Sequence, residues 1–331
     1  MIVGDISKMK LSEFLPSTPD LLWDLSLQLG VRHAICKCAP ELTGLPAPWE
    51  KSTLRTIRDR FHAAGFKLYG LEGDQFDMTR IKLGLEGRDE DIEKYQQMLR
   101  NMGEMEIPLI CYNFMAGIGW HRNQTDAPGR GGAKVTRFDL SQSPTGLTEY
   151  GEVSEAQMWD NYSYFIRKVM PVSEAAGVKM GMHPDDPPLP SLRGIGRILH
   201  APENFEKALS LVESPSHGVT YCQANFSLMG TDHAEWIPKF SADNKIVFVH
   251  FRDVKGTPEC FDETFHDEGP TDMVALLKLY HENGFDGPIR VDHVPTMAGE
   301  SNDQPGYGTA GRLFAMGYLK GILETLGVPI E

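Results

Sequence analysis

Apolar runs rich in β-branched and aromatic residues recur along this chain, and amphipathic stretches separate them. The runs lie near residues 2–6, 31–36, 66–72, 107–114, 178–184, 218–224, 245–251 and 288–292. Helices are expected over 19–29, 50–64, 88–105, 154–175, 203–212, 270–284 and 310–325, with a shorter, less regular connection near 233–240. Eight strands alternating with helices predict an α/β fold, a (β/α)8 TIM barrel, and 331 residues suit one such domain. Thr18 with Asp20, and Ser154 followed by Glu155, read as N-cap regions, while Gly65 and Gly177 read as C-caps.

One stretch breaks the rhythm. Residues 115–150, rich in Gly, Asn and Gln, are too long for an ordinary strand-to-helix loop. They read either as a lid over an active site or as a disordered insertion.

Composition narrows the partners. The formal charge of −14 argues against nucleic acid, because phosphate binding needs a basic surface. A small anionic substrate remains compatible, since a bound cation and a few arginines reverse the local field. No apolar run approaches the roughly 18 residues of a membrane span. The first residues, Met1-Ile2-Val3-Gly4-Asp5, lack the layout of a signal peptide. Five scattered cysteines, with Cys36 and Cys38 too close for an ordinary disulfide, fit a reducing cytoplasm. A homo-oligomer is left open.

Chemistry enters at Gly181-Met182-His183-Pro184-Asp185-Asp186-Pro187-Pro188. Proline cannot donate to a sheet ladder, so the strand should stop near His183. The next three strands end at or near Cys222, His250 and Asp292. In a closed parallel barrel these ends converge on one face, with neighbouring strands about 4.8 Å apart. Each residue alone has a plainer reading: Cys222 a small buried hydrophobe, His250 a satisfied core histidine, Asp292 a partner for Arg290 or a helix cap. Four such accidents at the same end of four successive strands are far less economical than one metal site. Imidazole, thiolate and carboxylate suit a divalent transition metal, with Mn2+ and Fe2+ as compatible as zinc.

At this point the chain resembles the mannonate dehydratases over most of its length, least over the first sixty residues. The resemblance is carried by Ile81-Lys82-Leu83-Gly84 with Gly87-Arg88-Asp89, by Cys111-Tyr112-Asn113-Phe114-Met115, and by the run from His183 to Pro188. Phe248-Val249-His250, Asp292-His293 and Pro305-Gly306-Tyr307-Gly308 extend it. It implies a metal-dependent barrel that removes water from D-mannonate to give 2-keto-3-deoxy-D-gluconate. It places metal ligands on His183, Cys222, His250 and Asp292 and an acid/base pair on His293 and Tyr307. Dehydration takes a proton α to a carboxylate and expels the neighbouring hydroxyl, so it needs a base, an acid and a cation. Alternation would turn His293 away from Asp292 within a strand, so His293 should sit just past the strand's end. The sequence leaves open which of His293 and Tyr307 is acid and which base.

Further residues are candidates for gripping an anionic sugar acid: Asn113, Lys82, His121, Arg122, Arg252 and His266. Exposed Arg and Lys are more often simply solvated. Three segments depart from the family pattern: Gly117 through Gly132, Gln223-Ala224-Asn225-Phe226, and Val294-Pro295. They leave the exact acid open. The alternatives are a metal-dependent sugar isomerase or epimerase, against which Cys222 argues, and a catalytically silent sugar-acid binding homologue.

Overall fold

The computed structural model describes residues 8–331. Its centre is a closed barrel of eight parallel strands: β1 (Lys10–Phe14), β2 (His33–Cys36), β3 (Lys67–Glu72), β4 (Leu109–Tyr112), β7 (Lys179–Met182), β10 (His217–Cys222), β11 (Ile246–Phe251) and β14 (Pro288–Val291). Around the ring they run β1-β14-β11-β10-β7-β4-β3-β2. The run expected as a strand at 2–6 lies outside the described residues, and Lys10–Phe14 takes the first barrel position.

Helices fill the outer layer at Leu21–Gln28, Lys51–Ala64, Arg88–Glu104, Glu155–Ala175, Pro202–Ser210, His233–Ala242, Met273–Glu282 and Thr309–Leu326. The first is capped by Asp20, whose carboxylate accepts from Trp23 N, rather than by Thr18. Ser154 heads a full capping box with Gln157. Gly65 closes its helix at φ 93, and Gly177 follows the helix ending at Ala175 at φ 68, conformations that favour glycine. Between strands and helices lie fully buried side chains such as Phe61, Phe165, Phe205 and Tyr162. Each large apolar side chain so buried stabilises the fold by about 1.5–3 kcal/mol. No helix among the described residues is long and apolar enough to cross a membrane.

The 115–150 stretch is ordered. It contains β5 (Gln124–Pro128) and β6 (Lys134–Asp139), and β6 pairs with a second hairpin, β12 (Val254–Thr257) and β13 (Cys260–Glu263), that leaves the end of β11. The four strands form an antiparallel sheet, β12-β13-β6-β5, beside the carboxyl ends of the barrel strands. Phe138 and Phe261 meet under it in an apolar cluster with Leu189, Leu192 and Val254. A short bridge, Lys134 to Thr296, ties the sheet to the segment after β14. A small hairpin, β8 (Ser191–Leu192) with β9 (Ile195–Gly196), follows the His183 loop.

Candidate active site

Register decides which side chains meet. Cys222 pairs with His250 across β10 and β11, and His250 pairs with Arg290 across β11 and β14. His183 stands one residue past β7 and Asp292 one past β14. One donor atom from each of His183, Cys222, His250 and Asp292 lies within 4.8 Å of the others. His183 Nδ1 is 2.8 Å from Pro184 O. A carbonyl only accepts, so Nδ1 carries the proton and Nε2 presents its lone pair.

This donor set fits a divalent ion. Both nitrogens of His250 are buried without a directed hydrogen bond, and Asp292 Oδ1 has ion-pair contacts alone, with Arg290 Nη1 at 2.9 Å and His293 Nε2 at 3.7 Å. Burial raises the Cys222 thiol, but the Arg252 guanidinium and the neighbouring His183 and His250 imidazoles outweigh it and bring it down to about 6. Burial favours neutral His250, yet the Glu72 and Asp292 carboxylates push its pKa well above the usual range; a metal ion would take that proton's place. Two other groups of potential ligands adjoin the four. Asp186, Glu263 and His293 already face the Arg122 and Arg252 guanidiniums, and Glu72 near Cys111 is clamped by Arg290.

Three of the four ligands, His183, His250 and Asp292, line a cavity of about 120 Å3 whose wall also includes Asn113, Trp120, Arg290, His293 and Tyr307. This is small beside the roughly 300–1,000 Å3 of a drug-sized pocket, so it suits a compact metabolite. His293 reaches the same cavity as Asp292 because its φ is 29, in the left-handed region a non-glycine residue rarely adopts. Backbone so placed costs about 1–3 kcal/mol and is concentrated at functional sites. The His293 ring stands perpendicular to Tyr307 at 5.4 Å and lies 5.0 Å from Trp120. Its Nδ1 is 3.1 Å from Glu263 Oε1, with Arg252 Nη1 close on the same side. Burial, reinforced by Asp292, pushes the Tyr307 hydroxyl far above its ordinary value, so it stays protonated. Gly306, at φ 84, lets the Tyr307 loop turn in, and Val294 N donates to Gly306 O at 2.8 Å to hold it.

Of the six residues expected to touch an anionic substrate, only Asn113 lines this cavity. Lys82 stands behind it, donating to Asn113 Oδ1 at 2.8 Å and to Asp74 at 2.7 Å. His121 is half-buried against Phe138. His266 is buried with Nε2 2.7 Å from Phe251 O. Arg122 and Arg252 are committed elsewhere. Arg122 binds Asp186 through both Nη atoms, at 2.6 and 3.1 Å, and Glu263 at 2.5 Å. Arg252 binds Asp186 and Asn225 at 3.0 Å and Asp292 at 3.3 Å. Burial opposes ionisation of Asp186, but Arg122 and Arg252 hold its carboxyl well below the usual range.

Glu72, Asp186, Glu263 and Trp120 were not singled out by sequence. Glu72 had a findable signal, since it ends β3 as Cys222 ends β10. Asp186 sits inside the most distinctive motif. Glu263, on a hairpin away from the barrel strands, had none.

A sequence model of the D-mannonate dehydratase family (UxuA) matches residues 41–145 and 140–328. The chain belongs to this family. It is 36% identical over 306 residues to mannonate dehydratase 2 of Halalkalibacterium halodurans, covering 84% of this chain and 88% of that one. The mannonate dehydratase of Streptococcus agalactiae serotype III is 32% identical over 306 residues, with 84% and 87% covered. The crystal structure of mannonate dehydratase from Streptococcus suis serotype 2 superposes with a TM-score of 0.88 at 28% identity, over 98% of this chain and 96% of that one. A D-tagatose 3-epimerase-like protein matches at 15% identity and TM-score 0.62, covering 97% and 98%, which is a likeness of fold alone. The segments expected to depart from the family pattern fall differently around the site. Gln223 and Asn225 contact Arg252 behind the ligands, whereas Trp120 reaches the cavity itself.

Proposed function

We propose that this chain is a metal-dependent hydro-lyase that removes water from D-mannonate, giving 2-keto-3-deoxy-D-gluconate in glucuronate breakdown. The observation that carries the reading is the juxtaposition of four ligand atoms within 4.8 Å with His293 and Tyr307 on the same small cavity. His183, Cys222, His250 and Asp292 would hold the ion, Mn2+ or Fe2+. Bound there, the ion supplies positive charge against the negative charge that builds on the substrate carboxylate as the α-proton leaves.

His293 is the base. Its Nδ1 faces both Glu263 and the Arg252 guanidinium; in the tautomer in which Glu263 accepts from Nδ1–H, the Nε2 lone pair takes the α-proton. The released electron pair forms a carbon–carbon double bond as the neighbouring C–O bond breaks. Tyr307, kept protonated by its surroundings, gives its proton to the departing hydroxyl, which leaves as water. The enol product then becomes the 2-keto acid. Asn113 meets a substrate hydroxyl, with Lys82 fixing the amide. Arg122 and Arg252 hold Asp186, Glu263 and His293 in place rather than touching substrate.

Residues 115–121, which carry Trp120 over His293, close the cavity as a lid, while the sheet beyond them stays docked. Protease cleavage confined to that segment should fall when substrate is added, and unchanged cleavage would contradict closure. The unpaired cysteines suit the cytoplasm. The deciding experiment is D-mannonate turnover by metal-stripped protein resupplied with manganese. Manganese-dependent 2-keto-3-deoxy product supports the reading; bound metal without product rejects mannonate and calls for a panel of aldonates.

A further inference from the structure

The His250 ring stands between two carboxylates. Nδ1 is 3.4 Å from Asp292 Oδ2, on the side of the four ligands, and Nε2 is 3.5 Å from Glu72 Oε2 on the other. Glu72 comes from β3, across the barrel, and is not one of the four ligands. Its position is imposed by Arg290, which donates from Nε to Glu72 Oε2 at 2.9 Å and from Nη2 to Oε1. The same guanidinium reaches Asp292 Oδ1 with Nη1 at 2.9 Å and donates to Val291 O at 2.9 Å. Arg290 is 1% exposed and in register with His250 on the neighbouring strand. One buried arginine therefore locks together a metal ligand, Asp292, and a carboxylate facing the far nitrogen of another ligand, His250.

We infer that Glu72, clamped by Arg290, is a positioning residue whose charge, 3.5 Å from His250 Nε2, favours the ring proton on Nε2 and so leaves Nδ1 for the metal. The inference rests on the metal site proposed above. Imidazole binds a metal through one nitrogen, and which nitrogen is free depends on where the other places its proton. A carboxylate on the far nitrogen fixes that choice, orients the ring and raises its basicity. Pro184 O fixes the His183 tautomer by a hydrogen bond at 2.8 Å from Nδ1, where Glu72 acts on His250 through its charge at 3.5 Å. The two ligand histidines thus bind through opposite nitrogens, His183 through Nε2 and His250 through Nδ1. Their second partners differ in kind: a neutral carbonyl from the adjoining residue, and a charged carboxylate from across the barrel. Arg290 in turn satisfies the carboxylate that Glu72 would otherwise bury unpaired.

The test is manganese affinity of purified full-length protein, measured by titration calorimetry on wild type, Glu72→Gln, Glu72→Asp and Cys222→Ala. Glu72→Gln keeps the size of the side chain and removes the charge; Glu72→Asp keeps the charge and draws it back by one methylene. Both should fold with helical content of wild type and weaken manganese binding about 10–100-fold, the usual cost of losing such a partner. Turnover lost at limiting manganese should return as manganese is raised. Wild-type affinity in either folded variant overturns the inference, as does a loss of turnover that added manganese leaves unchanged, since Glu72 would then act on substrate. If Glu72→Gln does not fold, Glu72→Asp decides alone. Wild-type protein that binds no manganese rejects the metal site itself, while Cys222→Ala that binds it normally removes Cys222 from the ligand set; both are read separately from the role of Glu72.

Discussion

Replacing Arg122 with methionine separates a structural guanidinium from a substrate-gripping one. The Arg122 side chain has no solvent exposure, and its partners Asp186 and Glu263 are each 1% exposed. Arg122→Met keeps most of the buried volume and removes the charge. Asp186 would retain Arg252 at 3.0 Å, and Glu263 would retain Arg252 at 3.7 Å and His293 at 3.1 Å. Two buried carboxylates would then share one guanidinium. Removing one member of a buried ion pair costs about 3–5 kcal/mol. Unfolding entropy of about 2.1 cal/mol/K per residue gives roughly 0.7 kcal/mol/K for a chain of 331 residues, so Tm should fall by about 4–7 °C.

Scanning calorimetry at one heating rate measures the shift. Asp186→Asn alone and in combination closes a double-mutant cycle, and residues sharing one network should couple by about 0.5–3 kcal/mol. In the Asn background the arginine has less charge to answer, so its removal should cost less. A variant with unchanged Tm and a tenfold higher KM would refute the reasoning and put Arg122 on the substrate after all.

Three other outcomes are expected. Tyr307→Phe should retain metal and near-normal KM while kcat falls about 10²–10⁴-fold, the usual share of a proton donor; an unaffected kcat makes the hydroxyl structural. Cys222→Ala should fold and lose most of its bound metal on dialysis, and metal content equal to wild type would remove Cys222 from the ligand set. Acid should destabilise the fold through His217, His233 and His266, whose pKa values burial lowers from 6.5 to about 4. Because the unfolded chain binds protons first, their stabilising effect is complete above 6.5 and drains away as pH falls towards 4, by about 3 kcal/mol each. Tm measured from pH 7 to 4.5 should drop less steeply for His217→Gln, and an equal slope contradicts the assignment.

The barrel was readable because hydrophobic periodicity is a local signal. Seven of the eight strands fall within the runs expected for them or within a residue of their edges. The first did not, since Ile2-Val3 is a stronger apolar run than the alternating Lys10-Leu11-Ser12-Glu13-Phe14 that pairs with both β14 and β2. The four proposed ligands followed from strand ends alone. The antiparallel sheet did not, because β6 and β13 are paired across more than a hundred residues of chain and neither shows a strong apolar alternation. The buried ion-pair partners of Arg122 and Arg252 were not legible for a related reason. An arginine's sequence neighbourhood does not reveal that it is buried, and burial is decided by carboxylates on other elements.

Those carboxylates also explain why a doubly charged ion belongs here. Around the cavity and behind it, Glu72, Asp186, Glu263 and Asp292 are buried or nearly so, and burial opposes the ionisation of every one. Arg122, Arg252 and Arg290 nevertheless hold all four ionised, Glu72 with a pKa of about 2. Cys222, at about 6, adds a thiolate at neutral pH. Five negative groups against three guanidiniums leave two uncompensated charges in a buried site. A proton on His250 offsets one of them and a divalent cation offsets both. Charge balance thus favours the loaded protein over the stripped one, beyond the strength of the individual metal–ligand bonds. Since only the folded chain gathers these groups, manganese at about one hundred times its Kd should add about 2.7 kcal/mol of stability, roughly 4 °C for a chain of this length. A Tm indifferent to manganese, in protein shown to bind it, would mean that the unfolded chain holds the ion equally well and that this buried charge pattern does not select it.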